Sequence, residues 1–292
     1  MIAPRSIQAV LPAFKVNMGG ILIDQALPHK RIDQIDPFLL VHHLEIHQAG
    51  GARAQDLGVP PHPHRGFAPV TFVLKGAVPH RDSTDVSSIV HAGGTQWMHA
   101  GRGIVHSERP PKEIAEKGGN WELIQFWVNT PAAHKMSDPH YHPLQKEDTP
   151  STLVDQDRVE VGVVAGSFGS LSGPINTFTN ILALRLNFEA DGTVDIPIPQ
   201  SYNGFVYLLD GGLVFNDQTS LQAKDLAQLA NDGETIRLRA TEQTRAILLA
   251  GEPIGEPLAT YGPFVMNSQA EIMQAMRDYQ LGKMGTLEEK FD

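Results

Sequence analysis

The sequence predicts an all-β protein, two barrels in one chain, closed by a single helix. Three observations predict it. Short apolar runs separated by turn residues dominate the 292 residues, a pattern of strands and not of helices. One strand-like run recurs 135 residues downstream, and only one segment carries helical periodicity.

The elements follow in order. Residues 70–74 before Gly76, 122–128 before Pro131, 159–164 before Gly166 and 181–188 before Asp191-Gly192 read as strands. So do 205–209 before Asp210-Gly211-Gly212, 213–215, 226–229 before Asn231-Asp232-Gly233, 235–239 and 245–249. Many short strands at near-regular spacing argue for a sandwich or barrel. The run Val70-Thr71-Phe72-Val73-Leu74-Lys75-Gly76 matches Phe205-Val206-Tyr207-Leu208-Leu209-Asp210-Gly211 in pattern. A period that long means two copies of one β domain and not a solenoid. The proline-rich polar stretch from Asp138 to Ser151 supplies the linker, giving domains at 1–140 and 141–292. Ser268 and Glu271 have capping-box spacing, Ile272, Met273, Met276 and Tyr279 recur at helical intervals, and Gly282 stands where a C-terminal cap belongs. These signals predict a helix over 269–281 that covers an open barrel end.

Composition narrows the function classes. The absence of cysteine excludes disulfides, thiolate ligands and a cysteine nucleophile, so any metal is held by nitrogen and oxygen. A net charge of −10 repels phosphate backbones and argues against direct nucleic-acid binding. No run approaches the roughly 18 apolar residues of a membrane span, and the N-terminus lacks the apolar segment of a signal peptide. The expectation is a cytoplasmic protein, with nuclear residence open to a eukaryotic one. Of the 13 histidines, nine fall between positions 42 and 106, and histidine is the commonest metal ligand among side chains.

Within that region, His62 and His64 stand two apart. In a strand such residues share a face about 6.6 Å apart along the backbone, so both imidazoles can reach one ion. His106 and Glu108 repeat the spacing after the glycine turn Gly101-Arg102-Gly103. Folding the second strand against the first places three imidazoles and one carboxylate around a single point. A rival grouping of His42, His43 and His47 is weaker, because adjacent strand residues point to opposite faces. His140-Tyr141-His142 reads as a solvated turn in the linker, and His80, His91, His99 and His134 as structural or surface residues. Trp97, Phe126 and Trp127 read as core.

The motifs His62-Pro63-His64-Arg65-Gly66-Phe67, then 70–76, His80-Arg81-Asp82-Ser83, and 96–108 (QWMHAGRGIVHSE) resemble the signature of the pirin family within the cupin superfamily. The resemblance extends to 35–40 (IDPFLL), 125–129 (QFWVN) and 262–267 (GPFVMN). It implies a bicupin, two cupin-type jelly-roll barrels, with one metal in the N-terminal domain, usually iron, and a metal-free C-terminal domain. Carried over residue by residue, the family's ligands are His62, His64, His106 and Glu108. At the 135-residue offset His62 and His64 map to Pro197 and Pro199, neither of which ligates through a side chain. Where the general cupin motif has a glutamate, this chain has Ala68-Pro69. By strand parity with His62 and His64, Ala68 is expected to face the barrel interior, leaving Glu108 as the carboxylate.

Three neutral imidazoles and one carboxylate leave a divalent ion at net charge about +1 with, if octahedral, two open positions. Fe(II) suits this donor set, and Mn, Co, Ni, Cu or Zn fit the same ligands. The pirin resemblance implies quercetin 2,3-dioxygenase activity on a flavonol-like ligand and O2, with Glu108 as ligand and proton acceptor. It equally implies, from a different class, an iron-dependent redox-sensing regulator that binds a protein partner. Two barrels in one chain favour a monomer.

Overall fold

The structure is a computed structural model, and residues 3–289 are described; residues 1–2 and 290–292, at the ends of the expected domains, lie outside them. The chain is mostly β and divides into two compact units, each discontinuous in sequence. One unit takes the chain through Leu40 together with Thr149–Pro253, and the other takes Val41–Asp148 with the chain from Ile254 onward. The single cut expected at 140/141 is thereby replaced by three, and each terminus joins the barrel that lies farther from it along the sequence.

Backbone pairing accounts for the first exchange. Strand Ile7–Pro12 pairs antiparallel with Asp225–Leu229, and the buried Arg5 locks the segment in place. Its guanidinium donates to the carbonyls of Gly233 (2.9 Å), Tyr202 (2.8 Å) and Pro199 (2.6 Å). Three charge-assisted hydrogen bonds to backbone compensate for burying that charge.

In this unit one sheet runs Ile7–Pro12, Asp225–Leu229, Asn203–Asp210, Thr244–Gly251, Ile181–Phe188, Val159–Ala165, Ser151–Val154. A second sheet runs Thr193–Pro197, Thr235–Ala240, Gly212–Phe215, Thr219–Gln222. Their apolar faces meet in one core that includes Val161, Leu184, Val206, Leu248, Ile196, Leu213, Ile236 and Leu238. The predicted strands of the second half are all present, 181–188 to the residue and the rest within two residues at either end.

In the other unit the order is His140–Leu144, Thr95–His99, Phe67–Lys75, Gly119–Asn129, then Phe38–Gln48, whose residues from Val41 belong here. A four-stranded sheet runs Val59–His64, Ile104–Glu108, Ala77–Asp82, Ser87–His91. Pro60, Pro61 and Pro63 cannot donate to a ladder on both sides, and their strand lies at the edge of that sheet. His140–Leu144 is a strand paired with Thr95–His99, not the solvated turn expected from its prolines, because its backbone completes a sheet.

The C-terminal helix spans Gln269–Gln280, one residue short of the prediction. Ser268 caps it, its hydroxyl accepting from the Glu271 amide (3.3 Å) and donating to the Glu271 carboxylate (2.8 Å), which also accepts from the Asn267 amide (3.1 Å), a variant of the capping box. Ile272 and Ala275 pack against Val105, Ala259, Phe264, Met266 and Met284. A six-residue helix, Lys112–Lys117, also forms; it is too short to leave a periodic signal. Among the described residues no helix is long and apolar enough to cross a membrane.

Candidate metal centre

Two neighbouring strands build the site. Val59–His64 pairs antiparallel with Ile104–Glu108, with His62 opposite His106 and His64 opposite Ile104. Residues opposite one another share a face, so His62, His64 and His106 converge. Ring centroids lie 4.8 Å apart for His62–His64, 4.4 Å for His62–His106 and 4.9 Å for His64–His106. One ring nitrogen from each lies within 4.8 Å of the others.

The turn after His64 depends on glycine. Gly66 has φ +84, and a Cβ there would overlap the Val265 carbonyl. Buried Lys135 donates to the carbonyls of Gly66 (2.6 Å) and Val265 (3.1 Å) and to Asn129 Oδ1 (2.6 Å). Arg65 is tied to the helix by Asp278 (3.0 Å). The histidine strand is thus anchored from three sides.

The protonation chemistry fits a cation. His62 Nδ1 lies 2.9 Å from the Pro60 carbonyl, an acceptor that fixes the proton on Nδ1 and leaves the Nε2 lone pair for the cluster. That Nε2 lies 3.1 Å from His64 Nε2. Burial first, and then the charge of His62, holds His64 well below the ordinary histidine range. Burial, with His62, His64 and His80 adding to it, does the same to His106. Both ring nitrogens of His106 and Nδ1 of His64 are buried without a hydrogen-bond partner. Buried polar atoms are ordinarily satisfied; convergent, neutral, unpaired imidazoles are what a divalent transition metal requires.

Glu108, the fourth residue expected, lies two residues beyond His106 on the same strand and stands outside the histidine cluster. Its Oε1 accepts from Gln125 Nε2 at 2.8 Å and Gln96 Nε2 at 3.4 Å. Gln96 Oε1 in turn accepts from Tyr141 (3.1 Å), and Gln125 Oε1 accepts from Trp127 (3.2 Å).

Ala68 does not face this site. The register pairs Gln125 with Thr71, Trp127 with Pro69, and Val128 with Ala68, so Ala68 shares a face with Val70 and Phe72, opposite to Thr71. The Arg65-Gly66 turn breaks the parity carried from His62 and His64. Pro197 ends the strand Thr193–Pro197 of the other unit, which carries no histidine. There the strand pair Thr193–Pro197 with Thr235–Ala240 sets Ile196 opposite Ile236, and Ile196, Ile198, Ile236 and Leu238 are all buried in the apolar core. This strand pair carries aliphatic side chains where the pair Val59–His64 with Ile104–Glu108 carries the imidazoles.

Several neighbours escaped the sequence reading. His80 is buried, 2.6 Å from Asp82 through Nε2, stacked on Tyr141 at 3.7 Å, with its centroid 5.6 Å from His106. The i, i+2 spacing of His80 and Asp82 was the available signal. Trp127, read as core, packs on Phe67 at 4.3 Å and lies 5.7 Å from His64, forming an aromatic wall; Trp97 and Phe126 are core. The rival grouping resolves differently. His43 meets Glu122 (3.2 Å) beside Glu45, but Lys75 Nζ lies 2.6 Å from Glu122 and 3.4 Å from Glu45 and supplies the cation. His47 instead faces Asn120 (2.8 Å).

Comparison with known proteins agrees with this geometry. The Pirin family matches residues 20–128, and the Pirin C-terminal cupin domain matches residues 183–285. Pirin-like protein 2 of Arabidopsis thaliana is 36% identical over 287 residues, covering 96% of this chain and 85% of the relative. The crystal structure of a quercetin 2,3-dioxygenase from Acinetobacter baumannii superposes with a TM-score of 0.91 at 32% identity, covering 98% of this chain and all of that one. A bacterial pirin of Escherichia coli, solved in complex with nickel(II), shares the fold with a TM-score of 0.67 at 18% identity, over 84% of this chain and 99% of that one. The chain belongs to the pirin family, a bicupin with an N-terminal and a C-terminal pirin cupin domain.

Proposed function

We propose that this protein is a metal-dependent dioxygenase that opens a flavonol such as quercetin. The observation that carries the reading is the convergence of His62, His64 and His106, with His64 and His106 buried and three of their ring nitrogens without a hydrogen-bond partner. The Acinetobacter baumannii relative named quercetin 2,3-dioxygenase supports the choice of reaction.

His62, His64 and His106 would hold the ion, with Glu108 as the fourth ligand. Bound there, Fe(II) or another divalent metal would supply Lewis acidity toward the flavonol oxygens and a path for electron transfer to O2. The chain's own part is acid–base and positional. Both amides that hold Glu108 engage Oε1, so Oε2 is the atom that takes the proton of the flavonol 3-hydroxyl. Trp127, backed by the buried Phe67, gives an aromatic ring a face to lie against. The reaction consumes the flavonol and one O2, and yields the ring-opened ester and carbon monoxide.

The test is anaerobic loading with Fe(II), addition of quercetin and measurement of oxygen uptake and carbon monoxide release. Stoichiometric release supports the dioxygenase. No turnover with Fe, Mn, Co, Ni or Cu transfers the site to the second reading, an iron-dependent regulatory module.

A further inference from the structure

Strand Ile104–Glu108 has two faces. His106 and Glu108 take the side of the imidazole cluster, so Ser107, and Arg109 just past the strand end, project from the other side. There they line a cavity of about 730 Å³, within the size range of small-molecule sites. Arg81 contributes a further cation, and Pro79, Ile89 and Ile114 contribute apolar wall.

A carboxylate is already seated in it. Glu289 accepts from Arg109 Nε at 3.0 Å and Nη2 at 2.8 Å, with only 14% of the arginine and 10% of the glutamate side chain exposed. Such a fork is the guanidinium geometry that selects carboxylates. Burial opposes the charged form of Glu289, but hydrogen bonds from Arg109 and Ser107, with the charges of Arg109 and Arg81, outweigh it and hold the carboxyl below its ordinary range. The third arm of Arg109, Nη1, donates to the Leu57 carbonyl at 2.8 Å. The guanidinium is therefore oriented by the backbone whether or not Glu289 is in place.

We infer that this cavity is a binding site for a small organic carboxylate with an apolar body, and that Glu289 is its intramolecular stand-in. Binding exchanges one carboxylate for another on Arg109, and the C-terminal segment leaves the clamp; no covalent bond changes. None of the atoms that face the imidazole cluster takes part.

The test is calorimetric titration of the full-length protein as purified with benzoate, and with benzyl alcohol as the uncharged control. Glu289→Gln removes the competitor and is expected to bind benzoate about tenfold tighter than the wild type. Arg109→Gln is expected to abolish saturable binding. Arg109→Lys, which keeps the charge and loses the fork, is expected to weaken it about tenfold, and it serves if Arg109→Gln does not fold. Benzyl alcohol is expected not to bind. Unchanged or weaker benzoate affinity in Glu289→Gln, undiminished affinity in the folded arginine variants, or equal binding of benzyl alcohol overturns the site. The titration contains no flavonol and measures no turnover, so its failure leaves the dioxygenase reading standing, and the reverse holds.

Discussion

His62 and His106 face each other across an antiparallel strand pair, and this one pairing determines what the barrel can do. In the second barrel an antiparallel strand pair sets Ile196 opposite Ile236. Two imidazoles leave lone pairs that need a cation; two isoleucines need only each other. One architecture therefore yields a polar centre in one unit and an aliphatic core in the other.

Removing an imidazole is expected to remove the metal. His106→Ala leaves His62 and His64 without the partner strand's nitrogen. Metal content by elemental analysis is expected to fall below about a tenth of the wild-type value, since loss of even an outer-shell partner costs tenfold or more. The fold persists, because the apolar residues of the barrel carry the core. One bound ion per chain in this variant refutes the assignment.

Gln125 holds Glu108 without touching the histidines, so it separates positioning from ligation. Gln125→Leu removes the 2.8 Å donor to Oε1 and its link to Trp127. A loss of about 10- to 100-fold in metal affinity is expected, the range for outer-shell partners, measured by competition with a chromogenic chelator. Unchanged affinity would show that the amide has no hold on the carboxylate.

The other barrel provides the reverse experiment. Ile236→Ala cuts a fully buried side chain out of the core and is expected to cost about 2–5 kcal/mol in denaturant unfolding. Metal content should stay at the wild-type level. Substitutions at Pro197 or Pro199 should likewise leave it unchanged, since the site lies in the other barrel.

Stability should depend on pH through His42 and His99, which lie outside the ligand set. Burial holds both down at about 4, below the ordinary value near 6.5. A depressed histidine favours the folded state while neutral, so its contribution is complete above pH 6.5 and declines as pH falls from 6.5 toward 4. Melting temperature is expected to drop across that window, and the His42→Leu/His99→Gln double variant to show a flatter profile. Equal slopes would assign the acid sensitivity to other groups.

Local sequence determined much of this molecule. Alternation and turn residues marked the strands of 159–251, because hydrophobic period and glycine or proline punctuation act within a few residues. Ser268, Glu271 and Gly282 marked the helix for the same reason. The spacing of His62 with His64, and His106 after its glycine turn, disclosed the strands of the imidazole cluster, since residues two apart on a strand must share a face. Tertiary structure decided what depends on partners distant in the chain. The Arg65-Gly66 turn moved Ala68 off the interior face, the pairing of Ile7–Pro12 with Asp225–Leu229 took the N-terminal strand into the later barrel, and Gln96 and Gln125 reached Glu108, and Tyr141 reached Gln96, only through sheet register. Register is a property of two strands at once, and no single stretch of sequence contains it.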